Sequence, residues 1–154
     1  MKSTGKYTLR ELKKSEMPSI FPLIKQLNPG MGKALFAKRL RAMQAGGYRV
    51  VAVFDGTKMV GINGFWLRTR FWCGKQLDID NVVVDETYRG AGLGKMLNLW
   101  LEALAKKEKV ELMVLDSYVT AHDAHAFYHR QGFGITGYHF TKAPHDGKPF
   151  RKTS

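Results

Sequence analysis

Between Val82 and Leu104 the sequence passes from three consecutive valines, through Arg89-Gly90-Ala91-Gly92-Leu93-Gly94, into a strongly amphipathic helix. No other stretch limits the choice of fold so tightly. The start of a helix carries N–H groups with no intrahelical acceptor and the positive end of the helix dipole. Glycines there remove side chains, so an anion as large as a pyrophosphate can approach the backbone. Arg89 and Lys95 add positive charge at the two ends of the turn. A turn of this kind serves several cofactor folds. The Rossmann spacing G-x-G-x-x-G is absent, and Gly94-Lys95-Met96 lacks the hydroxyl that follows the lysine of a Walker loop. A plain strand-to-helix turn remains the alternative at this point.

The flanking sequence fills in the elements. Tyr7 to Arg10 reads as a short strand, and Ser15-Glu16 opens a helical segment that Asn28-Pro29-Gly30 breaks. Ala34 to Ala45 is a second helix with Leu35, Leu40 and Met43 on its apolar face, ended by Gly46-Gly47. Tyr48 to Phe54, Met59 to Trp72 and Leu77 to Val84 form an antiparallel meander, with the Asp55-Gly56 hairpin signal and a turn at Cys73-Gly74-Lys75. After the glycine turn, Leu93, Leu97, Trp100, Leu101 and Leu104 share one face of a helix. Glu111 to Leu115 is the next strand, and an intervening helix lets it lie parallel to Leu77–Val84. Ala121 to Arg130 is a short helix, and Phe133 to Phe140 supplies one or two further strands. The order describes an α/β domain with a mixed sheet.

Composition bounds the classes. A chain of 154 residues suits a single domain over 1–154. No apolar run reaches membrane-helix length, and no apolar stretch follows the charged start at Lys2, so neither a membrane span nor a signal peptide is expected. One cysteine, Cys73, excludes a disulfide framework and fits a reducing cytoplasm. The net charge of +12 attracts anions but is spread along the chain, so a solubilising surface competes with a nucleic-acid footprint.

A second segment, Ala124-His125-Ala126-Phe127-Tyr128-His129-Arg130-Gln131-Gly132-Phe133, follows the strand end at Asp116-Ser117. Val82-Val83-Val84 leading to Tyr88-Arg89-Gly90-Ala91-Gly92-Leu93-Gly94, with Ala-x-x-Phe-Tyr-x-x-x-Gly-Phe downstream, resembles the GNAT N-acetyltransferase superfamily, in particular its small single-domain bacterial-type members. The resemblance is clear from Tyr48 to Phe140. It implies a mixed, mostly antiparallel sheet with splayed central parallel strands and flanking helices. It also implies acetyl-CoA as co-substrate and no metal. Backbone groups of Val82, Val83 and Val84 would pair with the pantetheine arm, and one N–H would polarise the thioester carbonyl. The amides of Arg89, Gly90, Ala91, Gly92, Leu93, Gly94 and Lys95 would hold the pyrophosphate. Tyr128 matches the tyrosine that touches the cofactor and protonates the leaving thiolate, with a core aromatic as its alternative. Ala121 stands where many members carry a cofactor-contacting asparagine, a contact that Ser117 or His122 could replace.

The base that takes the proton of the amine is less determined. Asp80 lies on the strand beside the expected thioester and is the first candidate. Asp78 shares its side of the strand, and Asp116 is a second candidate. His125 recurs in members of this type and is a further catalytic candidate. His122, His125 and His129 share a helical face, where a substrate wall or a structural role outweighs a metal site. Phe65, Trp66, Phe71 and Trp72 belong to the core, an acceptor pocket or a dimer face. The expected function is transfer of an acetyl group to a primary amine of a small molecule, by direct attack in a ternary complex. Acetylation of a protein or an aminoacyl-tRNA, and a non-catalytic acyl-CoA-binding module, are the alternatives. Nucleic acid is an open but unfavoured partner, and a homodimer is left open. The basic surface slightly disfavours strongly cationic acceptors.

Overall fold

Apolar, β-branched segments at Tyr7–Glu11, Arg49–Asp55, Lys58–Arg70 and Gly74–Val84 build an antiparallel meander. The computed structural model describes residues 2–149. Six strands lie in sequence order: β1 Lys2–Thr4, β2 Tyr7–Glu11, β3 Arg49–Asp55, β4 Lys58–Arg70, β5 Gly74–Val84 and β6 Leu112–Leu115. Every neighbouring pair is antiparallel except β5 with β6, which is parallel. The crossover between those two strands is helix α3, Leu93–Lys107. Helix α1, Phe21–Leu27, continues directly from a 3-10 turn over Lys14–Ile20, and α2 spans Lys33–Ala45. Helix α4 covers His122–Arg130. The mixed sheet with flanking helices is the architecture expected. Among the described residues no helix is long and apolar enough to cross a membrane.

Two apolar layers sandwich the sheet. Leu12, Met17, Ile20, Leu23, Ile24, Phe36 and Leu40 pack with Tyr48, Val50, Ala52, Ile62 and Val83 on the face covered by α1 and α2. Helix α3 covers the other face. Its Leu97 meets the α-carbon side of Gly61, and Trp100 lies 6.4 Å, centroid to centroid, from Phe65.

Several boundaries and faces differ from the sequence reading. The buried stripe of α3 is Leu93, Leu97, Leu101 and Ala105 together with Asn98, while Trp100 and Leu104 flank it half-exposed. On α2 the buried residues are Phe36 and Leu40, and Leu35 is exposed, because the helix turns its 36/40 edge to the sheet. Strand β5 starts at Gly74, which adopts φ 69 directly after the turn at residues 71–73. The strands expected over Phe133–Phe140 do not form. That segment has no ladder partner among the described residues, and Ile135, Tyr138 and Phe140 stand exposed. An apolar alternation makes a strand only where a neighbour accepts its backbone hydrogen bonds.

The chain divides into two compact units, one ending at Leu115 and the other beginning at Asp116. The sheet, α1, α2 and α3 belong to the first, and α4 to the second.

Candidate functional site

In the first unit, the valine triplet sits where β5 loses one of its neighbours. The parallel ladder pairs Gln76–Ile79 with Leu112–Leu115 and goes no further. On its other side β5 stays paired to β4 through Val82↔Asn63, Val83↔Ile62 and Val84↔Gly61. From Asp80 to Val84, one edge of β5 therefore faces no strand among the described residues. Such an edge can take an extended, amide-bearing ligand as an added strand.

Directly beyond Val84 the chain is pinned in several places. Asp85 N–H donates to the Val60 carbonyl at 2.9 Å. The Asp85 carboxylate accepts from the Thr87 N–H at 3.0 Å and from the Thr87 hydroxyl at 2.6 Å. Those Thr87 bonds, with Lys58 adding charge, hold the Asp85 carboxyl below the usual carboxylate range. Tyr88 donates its hydroxyl to Asp55 at 3.1 Å, and Glu86 N–H reaches Gln26 at 3.2 Å.

The glycine turn follows this anchored segment. Gly90 and Gly92 adopt φ 81 and φ 75, the left-handed region that a side chain resists. Gly92 is the N-cap of α3, and no side chain caps that end. The first helical bond is Met96 N–H to the Gly92 carbonyl at 3.1 Å. The amides of Leu93, Gly94 and Lys95 thus precede any intrahelical acceptor and open toward an anion, with Arg89 and Lys95 exposed beside them. No Cβ-sized obstacle stands within 4 Å of either glycine.

Asp80 lies at a β-bulge. The ladder runs Leu77↔Leu67, Asp78↔Trp66 and Ile79↔Phe65, then resumes at Val82↔Asn63, so Asp80 and Asn81 together oppose Gly64. The extra residue puts both side chains on the α1/α2 face. Asn81 Oδ1 accepts from the Tyr48 hydroxyl at 2.7 Å, and Asp80 Oδ2 accepts from the Trp66 indole N–H at 3.1 Å. Tyr48 is 1% exposed, and burial, the largest cause, raises its phenol pKa above the ordinary value, so it stays a donor. The Tyr48 hydroxyl occupies the place where a Cβ on Gly64 would project. Asp78 falls on the same face as Asp80, as its phase suggests.

Tyr48, Gly64 and Asn81, which shape the surroundings of Asp80, were not singled out by the sequence reading, which left Trp66 open between the core, an acceptor pocket and a dimer face. A glycine inside a strand was the available signal, since it marks a bulge or a close approach. A groove of about 590 Å³ lined by Phe21, Pro22, Lys25, Gln26, Pro29 and Lys33 contains none of the expected site residues.

In the second unit, α4 presents the remaining candidates. Tyr128 is half-buried, its ring against Phe127 and Phe133 at 5.4 Å and 6.1 Å between centroids. Burial raises its pKa, so the phenol is protonated at neutral pH, the state a proton donor needs. His125 Nε2 lies 2.8 Å from the Tyr118 carbonyl and His129 Nδ1 3.0 Å from the Phe133 carbonyl, so each of those nitrogens carries the hydrogen. Asp116 pairs with His139 at 3.1 Å. His122 meets His125 edge-on at 5.9 Å. Among the described residues no three His, Cys, Asp or Glu side chains gather to hold a metal ion. Ala121 is the N-cap of α4 and makes no side-chain cap.

The sequence and the fold are similar to those of known proteins. Residues 9–133 match the model of the acetyltransferase (GNAT) family. An uncharacterized N-acetyltransferase, YhdJ of Bacillus subtilis, is 29% identical over 131 residues, covering 84% of this chain and 92% of that protein. An aminoalkylphosphonate N-acetyltransferase of Salmonella typhimurium is 35% identical over 79 residues, about half of each chain (51% and 49%). Among solved structures, an aminoglycoside N-acetyltransferase, AAC(6')-Iy in complex with CoA, superposes with TM-score 0.78 at 16% identity, covering 89% of this chain and 93% of that one. Glucosamine-6-phosphate N-acetyltransferase of Arabidopsis thaliana does so with TM-score 0.71 at 23% identity, covering 91% and 99%. These two likenesses bear on the fold, while the family match runs from β2 through the glycine turn to the end of the Phe-Tyr motif. With an open β5 edge leading into an uncapped, glycine-lined helix start, the chain belongs to the acetyltransferase (GNAT) family, whose co-substrate is acetyl-CoA, and is an acetyltransferase.

Proposed function

We propose that this enzyme transfers an acetyl group from acetyl-CoA to the primary amine of a small molecule, by direct attack in a ternary complex. One observation carries the reading: the open edge of β5 runs without interruption into the anchored turn and the uncapped start of α3. A cofactor with an amide-bearing arm and a pyrophosphate needs those two features in that order. Backbone groups of Val82, Val83 and Val84 pair with the pantetheine arm, and one N–H in this stretch polarises the thioester carbonyl. The amides from Arg89 to Lys95 hold the pyrophosphate. Asp80, aimed by the bulge, accepts the proton of the attacking amine. Tyr128 protonates the departing thiolate, a role supported by its motif and its raised pKa. His125 orients the start of α4 through the Tyr118 carbonyl. Both curated relatives are named for transfer to nitrogen, one of them to aminoalkylphosphonates, which supports a small amine as acceptor. We read the two units as one GNAT domain, since the family match crosses Leu115, and the lone Cys73 fits a reducing cytoplasm.

Thermal unfolding with and without acetyl-CoA tests the cofactor claim. At a hundredfold excess over Kd, a ligand specific to the folded state adds about 2.7 kcal/mol of stability. The wild type should show the corresponding rise in Tm. Gly92→Glu, which sets a carboxylate at the anion cradle, should show none. Gly92→Asn tolerates the left-handed backbone without a charge and should keep most of it. A wild type whose Tm ignores acetyl-CoA would end the reading.

A further inference from the structure

Beside Asp80 the α1/α2 face of the sheet carries a second charge of opposite sign. Trp66 lies next to Gly46, the C-cap of α2; a Cβ on that glycine would stand 3.2 Å from the indole. Beyond Trp66 toward the hairpin tip, Arg68 and Arg70 follow on the same face by strand alternation, and both are exposed. The Arg68 guanidinium sits 4.8 Å from the Trp66 ring centroid. The indole N–H of the same tryptophan donates to Asp80. One indole therefore carries a guanidinium over its face and a carboxylate at its edge. Arg68 forms no ion pair with an acidic side chain among the described residues, so its five donors are open to a ligand.

We propose that Arg68, Trp66 and Asp80 form the acceptor-binding surface, and that the acceptor is a small primary amine carrying an anionic group (carboxylate, phosphonate or phosphate) a few bonds from its nitrogen. The proposal rests on the reading of Asp80 as the residue that meets the amine. With the guanidinium 4.8 Å from the indole centroid and the carboxylate 3.1 Å from the indole nitrogen, the two charges stand at the two sides of one ring, a gap that a chain of two to four carbons can bridge. The guanidinium fork matches a planar carboxylate or a phosphoryl group with two parallel hydrogen bonds. The Trp66 plate between the two charges gives the linking methylenes an apolar surface. Each alternative acceptor meets a cost here. A diamine sets its second ammonium against Arg68, and a neutral amino alcohol leaves the fork unmatched.

Calorimetry in the presence of saturating CoA tests this, with β-alanine and O-phosphoethanolamine compared against ethanolamine and 1,3-diaminopropane. At least one anionic amine should bind tenfold or more tighter than ethanolamine. Arg68→Ala should remove that advantage while leaving ethanolamine unchanged, and Arg68→Lys should restore part of it. The proposal is overturned if neither anionic amine binds more tightly than ethanolamine, or if Arg68→Ala weakens every amine alike. Turnover by Asp80→Asn is read separately. If it stays at the wild-type level, the base assignment falls, whereas a lost charge preference at Arg68 overturns the acceptor class alone.

Discussion

At the level of single residues, Tyr48 in the first unit and Tyr128 in the second differ in what their phenols do. Tyr48 donates to Asn81 within the core, whereas the Tyr128 ring packs against Phe127 and Phe133 and its hydroxyl meets no partner among the described residues. An acid acts only below its pKa. Burial raises that of Tyr128 above the free phenol value, so the alkaline limb of kcat should lie above about pH 10. Tyr128→Phe should lower kcat roughly a hundredfold, change acetyl-CoA affinity far less and erase that limb. An unchanged kcat across a broad amine panel would remove Tyr128 from the mechanism. The motif singled out Tyr128 as a candidate from sequence. Arg68 was not singled out, and Trp66 stayed open among three roles, because their placement comes from cross-strand neighbours: Trp66 lies opposite Asp78 and reaches one step further to Asp80.

Among the elements, the β4–β5 pair holds the clearest lesson about reading a chain. Its strands, its turns and its continuation into α3 follow from alternation and glycine placement. The bulge does not, because it depends on a tyrosine that begins β3's approach to the sheet and fills the space beside Gly64. Phe133–Phe140 failed in the opposite way, with a strand-like pattern and no partner. The tyrosine–glycine fit can be measured. Gly64→Ala should destabilise the fold by about 1–3 kcal/mol through overpacking against Tyr48. Tyr48→Phe should cost about 1 kcal/mol by leaving Asn81 without its donor. Combined, the two should cost less than their sum, since removing the hydroxyl relieves part of the clash. Strictly additive losses in Tm would mean that the tyrosine does not occupy the glycine's space.

Across the whole molecule, a net charge of +12 meets a co-substrate that is itself polyanionic. Long-range attraction then speeds encounter, and salt screens it. Apparent KM for acetyl-CoA should rise severalfold between about 0.01 M and 0.15 M ionic strength, where the Debye length shrinks from about 30 Å to about 8 Å. Stopped-flow binding should place the change in the association rate, and a rate indifferent to salt would show that the surface charge serves something other than cofactor capture.

The extra residue at Asp80–Asn81 also divides β5 into two stretches with opposite parity. Before it, even-numbered residues face α1 and α2; after it, odd-numbered ones do, as Val83 shows. In the function proposed above, acceptor-facing and cofactor-facing duties thereby fall on separate lengths of one strand. Exchanges at positions 66, 68, 76 and 78 can change the preferred amine while the valine edge and the glycine turn keep their register. A lineage carrying this arrangement can therefore drift from one acceptor to another without passing through forms that have lost the acetyl donor.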